Sequence, residues 1–144
     1  MTDIYNLQRF VDAQDRHYES VLRELRAGEK RGHWMWYIFP QIQGLGQSAT
    51  SQEYAIKSRH EAKAYWEHSI LGQRLRECTQ LVLNLEGRTA QQIFSYVDTL
   101  KFRSCMTLFE RSASDSTIFR AALLKYFRGE PDQLTVEILK NQEP

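Results

Sequence analysis

Three groups of residues in this chain have types and spacings that could carry chemistry. The first is His33-Trp34-Met35-Trp36 with Gln41, which sets two indole rings beside an imidazole and a side-chain amide. A pocket for a purine, a nicotinamide or another flat group uses such rings for stacking and a few polar groups to fix orientation. The competing reading is that the rings fill the core and His33 bonds a backbone carbonyl. The second group is the loop Gly44-Leu45-Gly46-Gln47-Ser48. Its glycines let the backbone bend tightly and offer N–H groups to phosphate or carboxylate oxygens. It lacks the GxxxxGK[ST] order of a P-loop, so an ordinary turn competes with the cradle. The third runs from Asp98 to Phe109, where Lys101, Ser104, Cys105 and Leu108 share one stripe of a helix. Lys101 and Ser104 stand one turn apart, and a serine nucleophile would need that lysine desolvated and within hydrogen-bond reach. Anion binding by Lys101 and Arg103 is a simpler use, and two solvated cations on a helix face are simpler still. Glu53, Glu61 and Asp98 are the carboxylates nearest these features.

Metal and thiol chemistry find little support. His17, His33, His60 and His68 show no HxxxH, HxH or HExxH spacing, and Cys78 and Cys105 stand apart from one another and from the histidines. Two free thiols, buried or half-buried, in a reducing cytosol are the expectation, with neither metal nor cofactor. Lysine and arginine number 19 against 18 aspartates and glutamates, a net charge of +1. That balance gives no drive toward nucleic acid or anionic lipid. The first ten residues lack a basic segment followed by an apolar one, and no apolar run approaches the roughly 20 residues of a membrane helix. A cytoplasmic protein is expected, with a small molecule as its partner.

The elements that must position these groups follow from periodicity and caps. At 144 residues, a single domain over 1–144 is expected. Leu7, Phe10, Val11, Tyr18, Val21, Leu22 and Leu25 recur on a 3.6-residue period, which predicts one long helix from Tyr5 to Ala27, capped by Asp3 and stopped by Gly28. The apolar run from Trp34 to Phe39 is either a buried strand or a buried helical turn, because periodicity does not separate the two in so short a run. As a strand it would place Trp34, Trp36 and Ile38 on one face. Pro40 should end it in either form. After the loop, short helices are expected over 52–57 with Ser51 as cap, 59–66 with Ser58 as cap, and 70–83 with Ser69 as cap. Others follow over 91–94 behind Thr89, 99–110 behind Asp98, 117–128 behind Asp115 or Ser116, and from Asp132 to Lys140. The fold class is therefore mainly α, one compact domain of about seven helices, with a short extended segment at the aromatic run as one option.

The wording of several stretches adds to this. Leu7-Gln8-Arg9-Phe10-Val11, His33 through Gln41, Gly44-Leu45-Gly46, Tyr54-Ala55-Ile56, and Asp98, Lys101, Arg103-Ser104 with Met106 to Phe109 resemble a bacterial family of unknown function with the signature HWMWxIFPQ. The label calpastatin has been attached to that family, without physical support in this sequence. The resemblance spans nearly the whole chain and implies a single, mainly helical domain. A more distant similarity links Phe39-Pro40, Tyr54 and Lys101-Phe102 to the NADAR superfamily, connected with NAD and ADP-ribose. Where that superfamily carries a Glu-His step, this chain has Glu53-Tyr54. The similarity implies a ligand derived from a nucleotide or ADP-ribose and, for an enzyme, hydrolysis of an N-glycosidic or ADP-ribose-type bond.

Three readings follow. In the first, Trp34 and Trp36 stack on a ring, while His33 and Gln41 hydrogen-bond it. Gly44 and Gly46 with Lys101 and Arg103 hold phosphates, Tyr54 and Ser104 complete the lining, and Asp98 or Glu53 supplies the catalytic carboxylate. In the second, the same pocket serves a non-catalytic sensor or interaction module. In the third, the aromatic motif is core and nothing more.

Overall fold

The first helix begins at Gln8 and not at the expected Tyr5, with Leu7 at the N-cap position. Asp3 reaches it from outside, its carboxylate accepting the backbone N–H groups of Leu7 at 2.8 Å and Gln8 at 2.9 Å. In the computed structural model, which describes residues 2–142, the expected long helix is two: α1 (Gln8–Asp15) and α2 (Tyr18–Ala27). The break falls at His17 (φ −158°, ψ 32°). The apolar period continues across it, so the sequence gives no warning. The cause is tertiary, since α1 packs on the aromatic run while α2 packs on a later helix. Gly28, at φ 73°, ends α2 in the left-handed conformation that glycine adopts without penalty.

The aromatic run is a helical turn, α3 (Met35–Ile38). Its faces therefore follow the helical period and not the alternation of a strand. Trp34, Met35 and Ile38 are buried, whereas Trp36 and Tyr37 turn toward the half-exposed side. Extended backbone enters just afterwards, as an isolated parallel bridge between Ile42 and Ile56. There Gln43 N donates to the Ile56 carbonyl at 2.7 Å and Ile56 N to the Gln41 carbonyl at 2.8 Å. The chain between closes as a loop over α4 (Ala49–Glu53), whose cap is Ser48 and not the expected Ser51.

Ser58 caps α5 (Arg59–Glu67) as expected. The next helix, α6 (Leu71–Asn84), is not capped by Ser69. His68 Nδ1 accepts from Ile70 N at 3.1 Å and Leu71 N at 3.2 Å in its place. The two helices expected over 91–94 and 99–110 form one kinked element, α7 (Ala90–Glu110), opened by a Thr89–Gln92 capping box. The kink is Ser95 at φ 68° and ψ 175°, a conformation L-residues rarely take, and Thr99 Oγ1 donates to its carbonyl at 2.6 Å. Asp98 is thus inside α7, free of capping duty. α8 (Thr117–Phe127) and α9 (Gln133–Gln142) complete the nine helices among the described residues.

The second half of α7 is the centre of the molecule. Phe102, Cys105, Met106, Leu108 and Phe109 are fully buried, and α5, α8 and α9 pack around them. Phe102 meets Phe94 at 4.7 Å and Phe39 at 5.0 Å between ring centroids, which joins the aromatic run to the core. No helix among the described residues is long and apolar enough to cross a membrane.

Candidate functional site

The site is built outward from α3. Trp34 is its anchor, 1% exposed, with the indole N–H donating to Glu24 Oε1 at 3.0 Å. The same oxygen accepts Arg31 N at 2.7 Å and Gly32 N at 2.9 Å, so one carboxylate fixes the approach to the run. Lys30 packs over the Trp34 ring at 5.0 Å, donates to the Gly32 carbonyl and pairs with Asp98 Oδ2 at 2.7 Å. Burial pushes the Glu24 carboxyl upward, but the hydrogen bonds from Gly32, Arg31 and Trp34 and the Lys30 charge outweigh it, and the net shift is downward. A lowered carboxylate adds stability above its unfolded value and loses it as pH falls through the folded one. Glu24→Gln is therefore expected to unfold more easily than wild type at pH 7, and the gap should close as pH drops below the usual glutamate range. Parallel urea titrations at pH 7 and pH 3 measure this, and an unchanged gap at pH 3 would refute it.

Trp36 does the opposite of Trp34. Lys101 Nζ stands over its ring at 4.6 Å and 3.5 Å from Asp98 Oδ1, so Trp36, Lys101, Asp98, Lys30 and Trp34 form a continuous chain of contacts. The Trp36 indole N–H is buried yet reaches no hydrogen-bond acceptor among the described residues. It lies at a cleft that also involves Gln41, Gly44, Gly46 and Tyr54. Five residues expected from sequence thus meet at one place. The free space inside is about 20 Å³, room for roughly one water molecule. The loop that closes the cleft needs both its glycines. Gly44 sits at φ 109°, and a Cβ on Gly46 would come within 2.5 Å of Ser51 Cβ.

Tyr54 lies behind the cleft, its ring 5.8 Å from Phe10 and 5.2 Å from Tyr37. Burial and the Glu53 charge raise its hydroxyl, against the opposing charges of Arg16 and Arg9. The backbone around it is held by Arg9, which spends all its N–H donors on protein acceptors. Its Nε bonds the Glu53 carbonyl at 2.8 Å, Nη2 the Ala55 carbonyl at 2.9 Å and Glu61 Oε2 at 3.0 Å, and Nη1 the carbonyls of Tyr5 at 2.7 Å and Asn6 at 2.8 Å.

Other expected site residues lie elsewhere. His33 is exposed on the approach to α3, and Trp34 is core. Arg103 donates to the Glu130 carbonyl at 3.0 Å and packs on Phe127, away from the glycine loop. Ser104 is buried and donates back to the Leu100 carbonyl at 3.0 Å, while Lys101 turns to Asp98, so no nucleophile–base pair forms between them. The Glu53 side chain is exposed, and its part in the site is the carbonyl held by Arg9. Among the described residues no group of three or more His, Cys, Asp or Glu could hold a metal. Burial pushes the Cys78 thiol up to about 12 and Cys105 well above its ordinary value, which disfavours thiolate chemistry at neutral pH.

Sequence reasoning passed over two features. Arg9 lies on the half-wet side of an amphipathic helix, where its five-donor role leaves no trace in the pattern. The His17 Nε2 to Tyr37 hydroxyl bond of 2.6 Å joins residues twenty apart, at a helix break that periodicity does not show.

Comparison with known proteins bears on the same ground. The family described as "Protein of unknown function (DUF1810)" matches residues 4–139. Among solved structures, the conserved hypothetical protein Rv1873 from Mycobacterium tuberculosis is similar at 50% identity and a TM-score of 0.95, covering 96% of this chain and 99% of that one. No curated protein matches.

Proposed function

The chain belongs to the DUF1810 family of proteins of unknown function, and from that premise we propose that it binds a small nucleotide-derived ligand, of the ADP-ribose kind, in the cleft between α3 and the glycine loop. The observation that carries this reading is the orphaned indole N–H of Trp36. A buried donor left unanswered costs about 1–3 kcal/mol, so an acceptor that enters the cleft and meets the Trp36 N–H is bound with that gain. The residues around it suit a small molecule: an indole face, a phenol and side-chain amides. The cleft is closed down to about 20 Å³, so ligand entry requires the loop over 44–47 to swing away while Gln43 stays anchored at the bridge. That loop is anchored at its start by the bond of 2.7 Å from Gln43 N to the Ile56 carbonyl and at its end by one of 3.1 Å from Gln52 Nε2 to the Gln47 carbonyl, with Leu45 half-buried against the core between them. Opening it means lifting Leu45 and breaking the Gln52 bond, a local event that leaves the Ile42–Ile56 bridge in place.

Within this reading Lys101 keeps the Trp36 ring in place, and its charge favours a ligand with anionic parts outside the cleft. Asp98, two contacts away from Trp36, and Glu53, next to Tyr54, are the carboxylates proposed to assist cleavage of an N-glycosidic bond. Calorimetric titration of the protein with ADP-ribose, NAD and AMP is the test. At least one should bind, and Trp36→Phe should weaken it about tenfold, the loss of one buried hydrogen bond with part of a stacking surface. Flat titrations with all three would refute the proposal. Chromatography of the incubated ligand then separates an enzyme from a sensor, since a sensor returns it intact.

A further inference from the structure

The cleft lining says which part of such a ligand enters. None of the side chains there is charged: besides Trp36 and Tyr54 it presents Gln41, Gln43, Gln52 and Ser51. Gln52 is engaged with the loop, but the amides of Gln41 and Gln43 make no hydrogen bond to the described residues, and neither does the Tyr54 hydroxyl. Each free amide offers a donor and an acceptor side by side, and the Trp36 N–H adds a donor.

A buried phosphate would demand paired cations, because an uncompensated charge taken out of water is costly by several kcal/mol. The cations nearby are committed. All the Arg9 N–H groups are used, and Lys101 is paired with Asp98 and packed on the Trp36 ring, outside the cleft lining.

We propose that the cleft takes an uncharged, planar ring that presents a hydrogen-bond donor beside an acceptor, a nucleobase or free nicotinamide, and that any phosphate of the ligand stays outside it. This rests on the cleft being the ligand site. Gln41 and Gln43 read the donor–acceptor edge of the ring, and Trp36 Nε1 donates to a ring carbonyl or nitrogen. Recognition by paired amides favours rings that present a donor beside an acceptor.

Ligand-observed NMR and calorimetry with guanosine, adenosine, nicotinamide, AMP and ribose 5-phosphate test this. At least one of the three uncharged probes should bind. Gln41→Leu should weaken it about tenfold with melting temperature held, and Gln43→Ala gives a second, more exposed variant should Gln41→Leu fold poorly. Ribose 5-phosphate should not bind. Binding of ribose 5-phosphate or AMP with none of the uncharged probes would overturn the inference while leaving the cleft as a ligand site. Silence from every probe would overturn both. Unchanged binding in both glutamine variants would overturn the edge-reading role.

Discussion

Gly72→Ala is expected to destabilise the protein by about 3 kcal/mol or more and to lower Tm by roughly 10 °C. A Cβ on this glycine would lie 2.0 Å from the Trp66 carbonyl oxygen and 3.0 Å from its carbon. Both are backbone atoms, so no side-chain rotation relieves the clash, and α6 would have to move off the end of α5. Helix propensity alone argues the other way, since alanine is favoured over glycine inside a helix by about 1 kcal/mol. The tertiary contact decides the sign. Gly87→Ala is the control, with φ at 72° and nothing within 4 Å of the added carbon, and should lose only about 1 kcal/mol. Urea unfolding of the three proteins measures both. A Gly72→Ala midpoint equal to wild type would mean that α5 and α6 do not approach as described.

The second large effect is expected at Arg9 and Glu61. Glu61 is 1% exposed; its Oε1 accepts Lys57 N at 3.0 Å and its Oε2 accepts Arg9 Nη2 at 3.0 Å. Breaking a buried pair by altering one partner costs about 3–5 kcal/mol. Glu61→Gln should fall near the lower end, because the amide oxygen still accepts one bond. Arg9→Lys keeps the charge but replaces a planar five-donor fork by a single ammonium. It cannot hold the carbonyls of Glu53 and Ala55 together, the two residues that flank Tyr54. We expect a loss of roughly 3 kcal/mol together with faster amide exchange at Gln43 and Ile56, whose bridge lies over that backbone. A loss under about 0.5 kcal/mol, the size of an ordinary surface change, would sink the account of Arg9 as the clamp of the cleft. The double change to Met and Leu should be milder than the sum of the singles, as contacting residues do not add.

What the sequence by itself determined was largely local. Caps and glycines placed Gly28, Ser58 and Thr89 at helix ends, because a cap is a bond between neighbours in the chain. The mainly helical class followed from apolar periods, and Trp36, Gln41, Gly44, Gly46 and Tyr54, read together as pocket residues, do line one cleft, whereas Lys101, Arg103, Asp98 and Glu53, expected beside them, are not in its lining. Tertiary structure decided the rest. Whether six apolar residues make a strand or a turn depends on what they pack against, and only the buried Phe94 and Phe102 rings supply that partner for Phe39. The same packing sends Trp34 to the core and Trp36 to the cleft, a distinction invisible in two tryptophans two residues apart. The long first helix bends at His17 because its halves face different neighbours, and α7 runs through a strained Ser95 that no propensity would choose. Arg9 and Glu61 read in sequence as two solvated charges 52 positions apart. Folding takes them out of water together, and a pairing of that span has no local signature because its energy exists only once the chain has closed between them.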